Sequence, residues 1–271
     1  MRRLRSLSCP RVLVTLVLAA MCANLGGCAT TVSQPAPVQA PVRPWQASEL
    51  IGALEQRSHQ FRSVRALARV NYAGPEGKQS FQEAILVQRP DRLRLETLTF
   101  LGAILIVTVN GEEVIAHHPR EGILLRGAPS KQNLVRFTQM PLELNDITTL
   151  LIGLPPVNTK MPSVQESNAL IFSANGRKQD RVAFESQLPV PTEWQRFAET
   201  GEVELAARFG DYIETPAGAF ATRLQLEAPL QNKRLEIRIE EPEINTAIPA
   251  DLFTQTKPAH VKEYRMEAVG W

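Results

Sequence analysis

Cysteine is nearly absent from this chain: of 271 residues only Cys9, Cys22 and Cys28 carry a thiol. Everything after Cys28 is therefore unable to form an internal disulfide, whatever the redox compartment. Aromatic residues are also few, at 6%, so a core must come mainly from Leu, Val and Ile. Charge of one sign is missing too: 30 basic residues stand against 28 acidic ones, a net +2. That balance argues against a nucleic-acid partner, which would want a basic patch, and none is expected. Catalytic motifs are missing as well, with no Gly-x-Ser-x-Gly elbow, phosphate loop or His-Glu-x-x-His. His117 and His118 are neighbours, and on a strand neighbours point to opposite faces. No carboxylate or cysteine stands at a ligand-like spacing from them, so no metal and no cofactor is expected. Glu112-Glu113 and Glu240-Glu241 read as solvated strand ends. The chain is expected not to be an enzyme.

The first hydrophobic run, residues 12–20, is too short to span a bilayer, which takes about 20 apolar residues. It follows Arg2, Arg3, Arg5 and Arg11, with no acid, and leads to Leu25-Gly26-Gly27-Cys28. A basic start, an apolar run and small residues directly before a cysteine resemble a bacterial lipoprotein signal. The competing readings are an uncleaved anchor and an ordinary signal cleaved nearby. The resemblance implies that residues 1–27 are removed and that Cys28 becomes a lipidated N-terminus. Ala29, where sorting habits of that family would place Asp for retention, implies the outer membrane. Removing four arginines leaves 26 basic residues against 28 acidic ones, and removing 27 residues from 271 leaves 244, enough for one full core. Residues 28–47 carry Pro35, Pro37, Pro41 and Pro44 and read as an extended tether.

Beyond the tether, Ser48 reads as an N-cap with Glu49 in the first turn. Leu50, Ile51, Leu54 and Phe61 share one face, predicting a helix over 48–62. Strands are predicted over 64–72, 81–88 and 92–99, the last two joined by a Pro90-Asp91 turn. Leu93 and Leu95 face one way there, Arg94 and Glu96 the other. Strands over 103–109 and 112–118 flank Asn110-Gly111, the strongest short hairpin signal, and 122–126 follows. The segment 103–109 is apolar on both faces, so it is either covered or in contact with lipid. Two helices interrupt the strands: 130–139, with Leu134 and Phe137 apolar, and 146–152, begun by Asn145 and closed by Gly153 and Pro155. Strands resume over 169–173, 181–185, 202–208, 220–227 and 233–240. In the last, Leu235, Ile237 and Ile239 alternate with Arg234, Glu236, Arg238 and Glu240. About eleven hairpin-linked strands with helices at the start and middle make a mainly β (α+β), antiparallel protein.

Three segments carry a resemblance. Met140-Pro141-Leu142-Glu143-Leu144-Asn145 through Leu151-Ile152-Gly153-Leu154-Pro155 resembles the segment that precedes and forms the lid helix of the outer-membrane lipoprotein receptor family LolB. Leu98-Thr99-Phe100-Leu101-Gly102 is similar to that family's strand-loop-strand, and Glu243-Ile244-Asn245 through Leu252-Phe253-Thr254 to the end of the wider LolA/LolB-like group. The resemblance covers residues 47–257, with the domain placed at 48–257 and a C-terminal tail at 258–271. It implies a curved, incomplete antiparallel barrel with a helical lid over its concave face and an apolar cavity. The residues assigned to that cavity and lid are Leu50, Leu54, Phe61, Leu93, Leu95, Leu134, Phe137, Leu151, Leu224, Leu226, Leu235, Ile237 and Ile239. The opposing reading of the residues alone is a fully packed sandwich. Leu101 matches the family leucine that protrudes to engage the membrane, with Phe100 beside it where that family tends to have Pro. Both either enter the membrane interface or fold back into the core. Trp45 and Trp194 either cap the sheet or cavity mouth or simply pack. The resemblance implies a monomeric outer-membrane lipoprotein that binds acyl chains of lipoproteins or another lipid, with a periplasmic lipoprotein carrier as a possible partner. The span 186–220 is longer than LolB needs, which keeps a second reading open: an assembly lipoprotein that docks a protein partner.

Overall fold

The computed structural model describes residues 43–268. Cys28 and the expected signal and tether up to residue 42 lie outside the described residues. A first helix, α1 (Ala47–Gln60), is followed by six strands. These are β1 (Ser63–Gly74), β2 (Gly77–Gln88), β3 (Arg92–Thr99), β4 (Gly102–Asn110), β5 (Val114–His118) and β6 (Ile123–Gly127). Two helices of eight residues come next, α2 (Lys131–Thr138) and α3 (Leu144–Leu151). Seven strands follow: β7 (Ser163–Glu166), β8 (Ala169–Ala174), β9 (Arg177–Phe184), β10 (Pro191–Phe197), β11 (Val203–Thr215), β12 (Gly218–Ala228) and β13 (Lys233–Ile244). A last strand, β14 (Lys262–Arg265), ends the sheet.

All strands join one sheet in the order β14-β6-β5-β4-β3-β2-β1-β13-β12-β11-β10-β9-β8-β7. Fourteen strands replace the eleven expected from the sequence. Strands twist right-handedly against one another, so a sheet this wide curls instead of lying flat. Its ends, β14 and β7, do not pair, and the curled sheet stays open. Pairs are antiparallel except β14 with β6. Hairpins build both halves, and β1 pairing with β13, Val64 opposite Ile244, fuses them.

Three strands escaped the sequence reading, each for a physical reason. β10 opens on Pro191, which suits the first position of a strand but masks the pattern. β7 is four residues long. β14 is exposed along its length and shows no alternation, because it pairs by its backbone at an edge. β10 and the long β11 account for the extended span 186–220. The segment set apart as a tail after residue 257 thus belongs to the sheet, through Val261 and β14.

Helix ends follow local chemistry. α1 starts at Gln46, not Ser48: the Glu49 carboxylate accepts from the Gln46 N–H at 2.9 Å and from Arg43 at 3.0 Å. That pairing with Arg43 first, then the Gln46 bond, pulls the Glu49 carboxyl down to about 2. Trp45 already belongs to the folded unit, its indole donating to the Ser186 carbonyl at 3.1 Å. Ser130 caps α2 by accepting from the Asn133 N–H at 3.3 Å. The alternation read in β3 and β13 holds: Leu93, Leu235, Ile237 and Ile239 are buried, and Arg94 pairs Glu96 on the other face.

The apolar face of the sheet and all three helices share one core, whose largest buried side chains are Trp194, Phe61, Phe172 and Phe220. The opposite face of β3 to β6 is covered by the chain after β13. There Phe253 is buried, Arg94 donates to the Leu252 carbonyl at 2.9 Å, and Val261 packs with Ile115 and Leu124. Gln255 Nε2 lies 3.1 Å from the Ile106 and Ile115 carbonyls and from the Thr108 hydroxyl. In the two-faced apolar segment 103–109, Val107, Thr108 and Val109 are therefore covered by protein, while residues 103–106 stay half-buried. Phe253→Ala is expected to cost about 3 kcal/mol or more by emptying that buried site, read as a lower urea midpoint.

Candidate functional site

The site follows from what faces the two short helices. α3 is amphipathic: Ile147, Leu150 and Leu151 turn toward the sheet, while Asp146 and Thr149 turn toward a polar groove. Between α2, α3 and the sheet lies an apolar cavity of about 70 Å³. Phe137, Thr138, Leu142, Ile147, Leu150 and Leu151 form its lid side, and Val70, Phe81, Glu83, Ile85, Leu95, Leu224, Leu226, Leu235 and Ile237 its sheet side. The groove behind α3 is larger, about 630 Å³, and lined mostly by polar and charged side chains.

A buried ionic cluster holds α3 down. Arg196 of β10 donates to Asp146 at 2.8 Å, to Asp180 at 3.3 Å and to the Pro156 carbonyl at 3.0 Å. Trp194 donates its indole N–H to the same Asp180 oxygen at 2.9 Å, and the Arg196 guanidinium stacks over its ring at 4.8 Å. Trp194 is thus a buried member of this cluster and not a cap on the sheet. Burial alone would lower the Arg196 pKa, but the hydrogen bonds and charges of Asp146 and Asp180 carry it above its usual range. Burial pushes the Asp180 carboxyl up, against Arg196 and Trp194. Thr148 adds a second tie by donating to the Pro90 carbonyl at 2.8 Å.

No family model and no curated protein matches the sequence. Solved structures do resemble the fold. One is a domain described as an outer membrane lipoprotein-sorting protein, from Vibrio parahaemolyticus. It has 10% identity and a TM-score of 0.54 over 76% of this chain and 97% of its own. A LolA superfamily protein from Nitrosomonas europaea has 10% identity and a TM-score of 0.52 over 75% and 96%. The chain has a LolA/LolB-like fold. A DUF1329 family protein from Desulfovibrio piger matches with 9% identity and a TM-score of 0.54 over 76% and 94%.

On this LolA-like sheet the residues assigned from the sequence divide in two. Leu95, Phe137, Leu151, Leu224, Leu226, Leu235 and Ile237 line the apolar cavity. Leu50, Phe61, Leu93, Leu134 and Ile239 are core residues outside its lining. Leu54 is buried and reaches the wall of the polar groove. Phe100 and Leu101 sit at the tip of the β3–β4 hairpin, 96% and 69% exposed, so neither folds back into the core. The sequence reading passed over Val70, Ile85, Leu142, Ile147 and Leu150, which inward alternation and the helical period would have supplied.

It also passed over Glu83. The inward series of β2 is Phe81, Glu83, Ile85 and Val87, and Glu83 is its one polar member, 7% exposed. Burial raises its carboxyl to about 7, opposed by a hydrogen bond from Thr97 at 3.1 Å and helped by the charge of Glu96. Among the described residues no group of three or more His, Cys, Asp or Glu could hold a metal ion. His117 sits low, chiefly through burial, with His118 and His260 adding to it.

Two predictions follow from the charges. Arg196→Met strands Asp146 and Asp180 without their cation and is expected to cost about 3–5 kcal/mol, with faster amide exchange in α3. For Glu83, the folded protein keeps a proton that the unfolded chain, with its carboxyl near 4.5, releases first. Stability therefore falls as pH rises from about 4.5 to about 7, by roughly 3 kcal/mol in all. Glu83→Gln should flatten that slope in urea titrations run across this window.

Proposed function

We infer that this protein is a cell-envelope lipoprotein that shelters acyl chains between its two-helix lid and the apolar face of its sheet, receiving them at the outer membrane. One observation carries the reading. The cavity has an apolar wall on the sheet side and is roofed by two helices of eight residues each. Its volume of about 70 Å³ is about half that of an engineered void of about 150 Å³ that takes up benzene. A hollow of this size is too small for an acyl chain, so in this reading α2 and α3 move to admit one. Once α2 and α3 lift, each methylene leaving water contributes about 0.8 kcal/mol, and affinity needs no catalytic group. The chemistry is binding and release, not bond-making.

In this reading Cys28 is the lipidated end, residues 1–27 are removed, and the proline-rich stretch lets the folded unit stand off the membrane. Phe100 and Leu101 are the membrane contact, because large apolar side chains at an exposed tip are better placed in the bilayer interface. Leu230, 55% exposed in the turn between β12 and β13, lies at the same end of the sheet. Among the described residues no helix is long and apolar enough to cross a membrane. A second reading, docking of a protein partner in the periplasm, is favoured by the polar groove of about 630 Å³ behind α3.

The full chain carrying Cys28→Ala is expected to take up a fluorescent fatty acid or an apolar dye. Ile237→Trp, which fills the cavity wall, should reduce that uptake while thermal unfolding stays cooperative. No uptake by the folded protein would favour the partner-docking reading. Leu101→Glu and Phe100→Glu should weaken sedimentation with phospholipid vesicles while changing stability by no more than about 0.5 kcal/mol.

A further inference from the structure

The apolar cavity has two polar residues in its lining, Thr138 and Glu83. The Thr138 hydroxyl is committed, its one proton shared between the Leu134 carbonyl at 3.1 Å and the Met140 carbonyl at 3.0 Å. Glu83 is not. Its Oε2 accepts from the Thr97 hydroxyl, and the groups that act on it are its own burial, Thr97 and Glu96, with no cation among them. Its cross-strand neighbours are Ala68 on β1 and Thr97 on β3, both small, so the wall recedes around the carboxyl where Val70, Phe81 and Leu95 crowd it elsewhere. A carboxyl buried without a cation weakens the fold, and Leu would fit the same apolar wall at no such cost. Groups held in this way concentrate where a ligand is met.

We propose that Glu83 is a specificity-determining residue of the cavity. It accepts a hydrogen bond from the first polar group of the bound chain, so the preferred ligands are acyl chains whose head donates N–H or O–H. An acylated amine and a partial glyceride share that chemistry. A free fatty acid does not above about pH 7, where Glu83 is ionised and the fatty-acid carboxylate meets a second carboxylate across the same wall. The inference rests on the acyl-binding reading above and adds to it a head-group preference and the side chain that sets it.

The test is run at about pH 8, above the raised Glu83 carboxyl, on the full chain carrying Cys28→Ala, loaded with an apolar dye, with four competitors of equal chain length: palmitamide, monopalmitoylglycerol, methyl palmitate and palmitic acid. The amide and the monoglyceride are expected to displace the dye at about tenfold lower concentration than the ester or the acid, the worth of one charge-assisted hydrogen bond. Whichever of the two displaces better tells an amide source from a glyceride source. In Glu83→Leu the preference should shrink to about one, with the methyl ester binding as well as before. Glu83→Met, closer in length, repeats the measurement should Leu disturb the packing. Equal displacement by all four in the wild type, or a preference that survives both variants, overturns the assignment of Glu83 while leaving acyl binding intact. Displacement by none of them removes the acyl-binding reading, and this inference with it.

Discussion

The pairing of β1 with β13 is the constraint on which the rest of the molecule depends. It brings Val64 opposite Ile244 and turns two separate runs of hairpins into one sheet. Without it each half would expose a long edge. With it, the apolar side chains of both halves fall on one continuous face that must be kept from water. Hydrophobic burial on that scale dominates folding, and among the described residues three α-helices complete it. α1 covers one part of the face with Leu50 and Leu54, and α2 with α3 covers another. A small hollow is left where the two short helices do not fully interdigitate with the strands beneath them.

α3 has a double allegiance. Its apolar side closes the hollow, and its polar side is tied by Arg196 to β10. The ion pair is largely desolvated, so its net worth is modest even though breaking it is costly. The acyl-binding reading requires α3, six of whose eight residues are buried, to shift as a unit while the sheet stays in place.

The two faces of the sheet are treated differently. Over β3 to β6 the outer face is closed by the chain after β13, which uses Phe253, Gln255 and Val261 to satisfy both apolar surface and backbone carbonyls. At the hairpin tips nothing covers Phe100 and Leu101. The most exposed large apolar side chain among the described residues is Phe100, at one of those tips.

Much of this was legible in the residues. Alternation in 92–99 and 233–240 identified inward and outward faces, and caps and glycines located both lid helices to within two residues. These are local signals, set by the two periodicities of helix and strand. Seven of the thirteen residues assigned to the cavity and lid line the hollow for the same reason. The depth of a side chain along the sheet is not local, and Leu50, Phe61 and Ile239, assigned to the cavity or its lid, pack in the core outside the lining of the hollow. The chain alone determined a mainly β sheet, its helical interruptions and the direction of its apolar face. Tertiary packing decided that fourteen strands form one open sheet, that the chain's end returns to cover it, and that Glu83 stands in an apolar wall. Those depend on which distant segments meet, and no pattern along the chain records that.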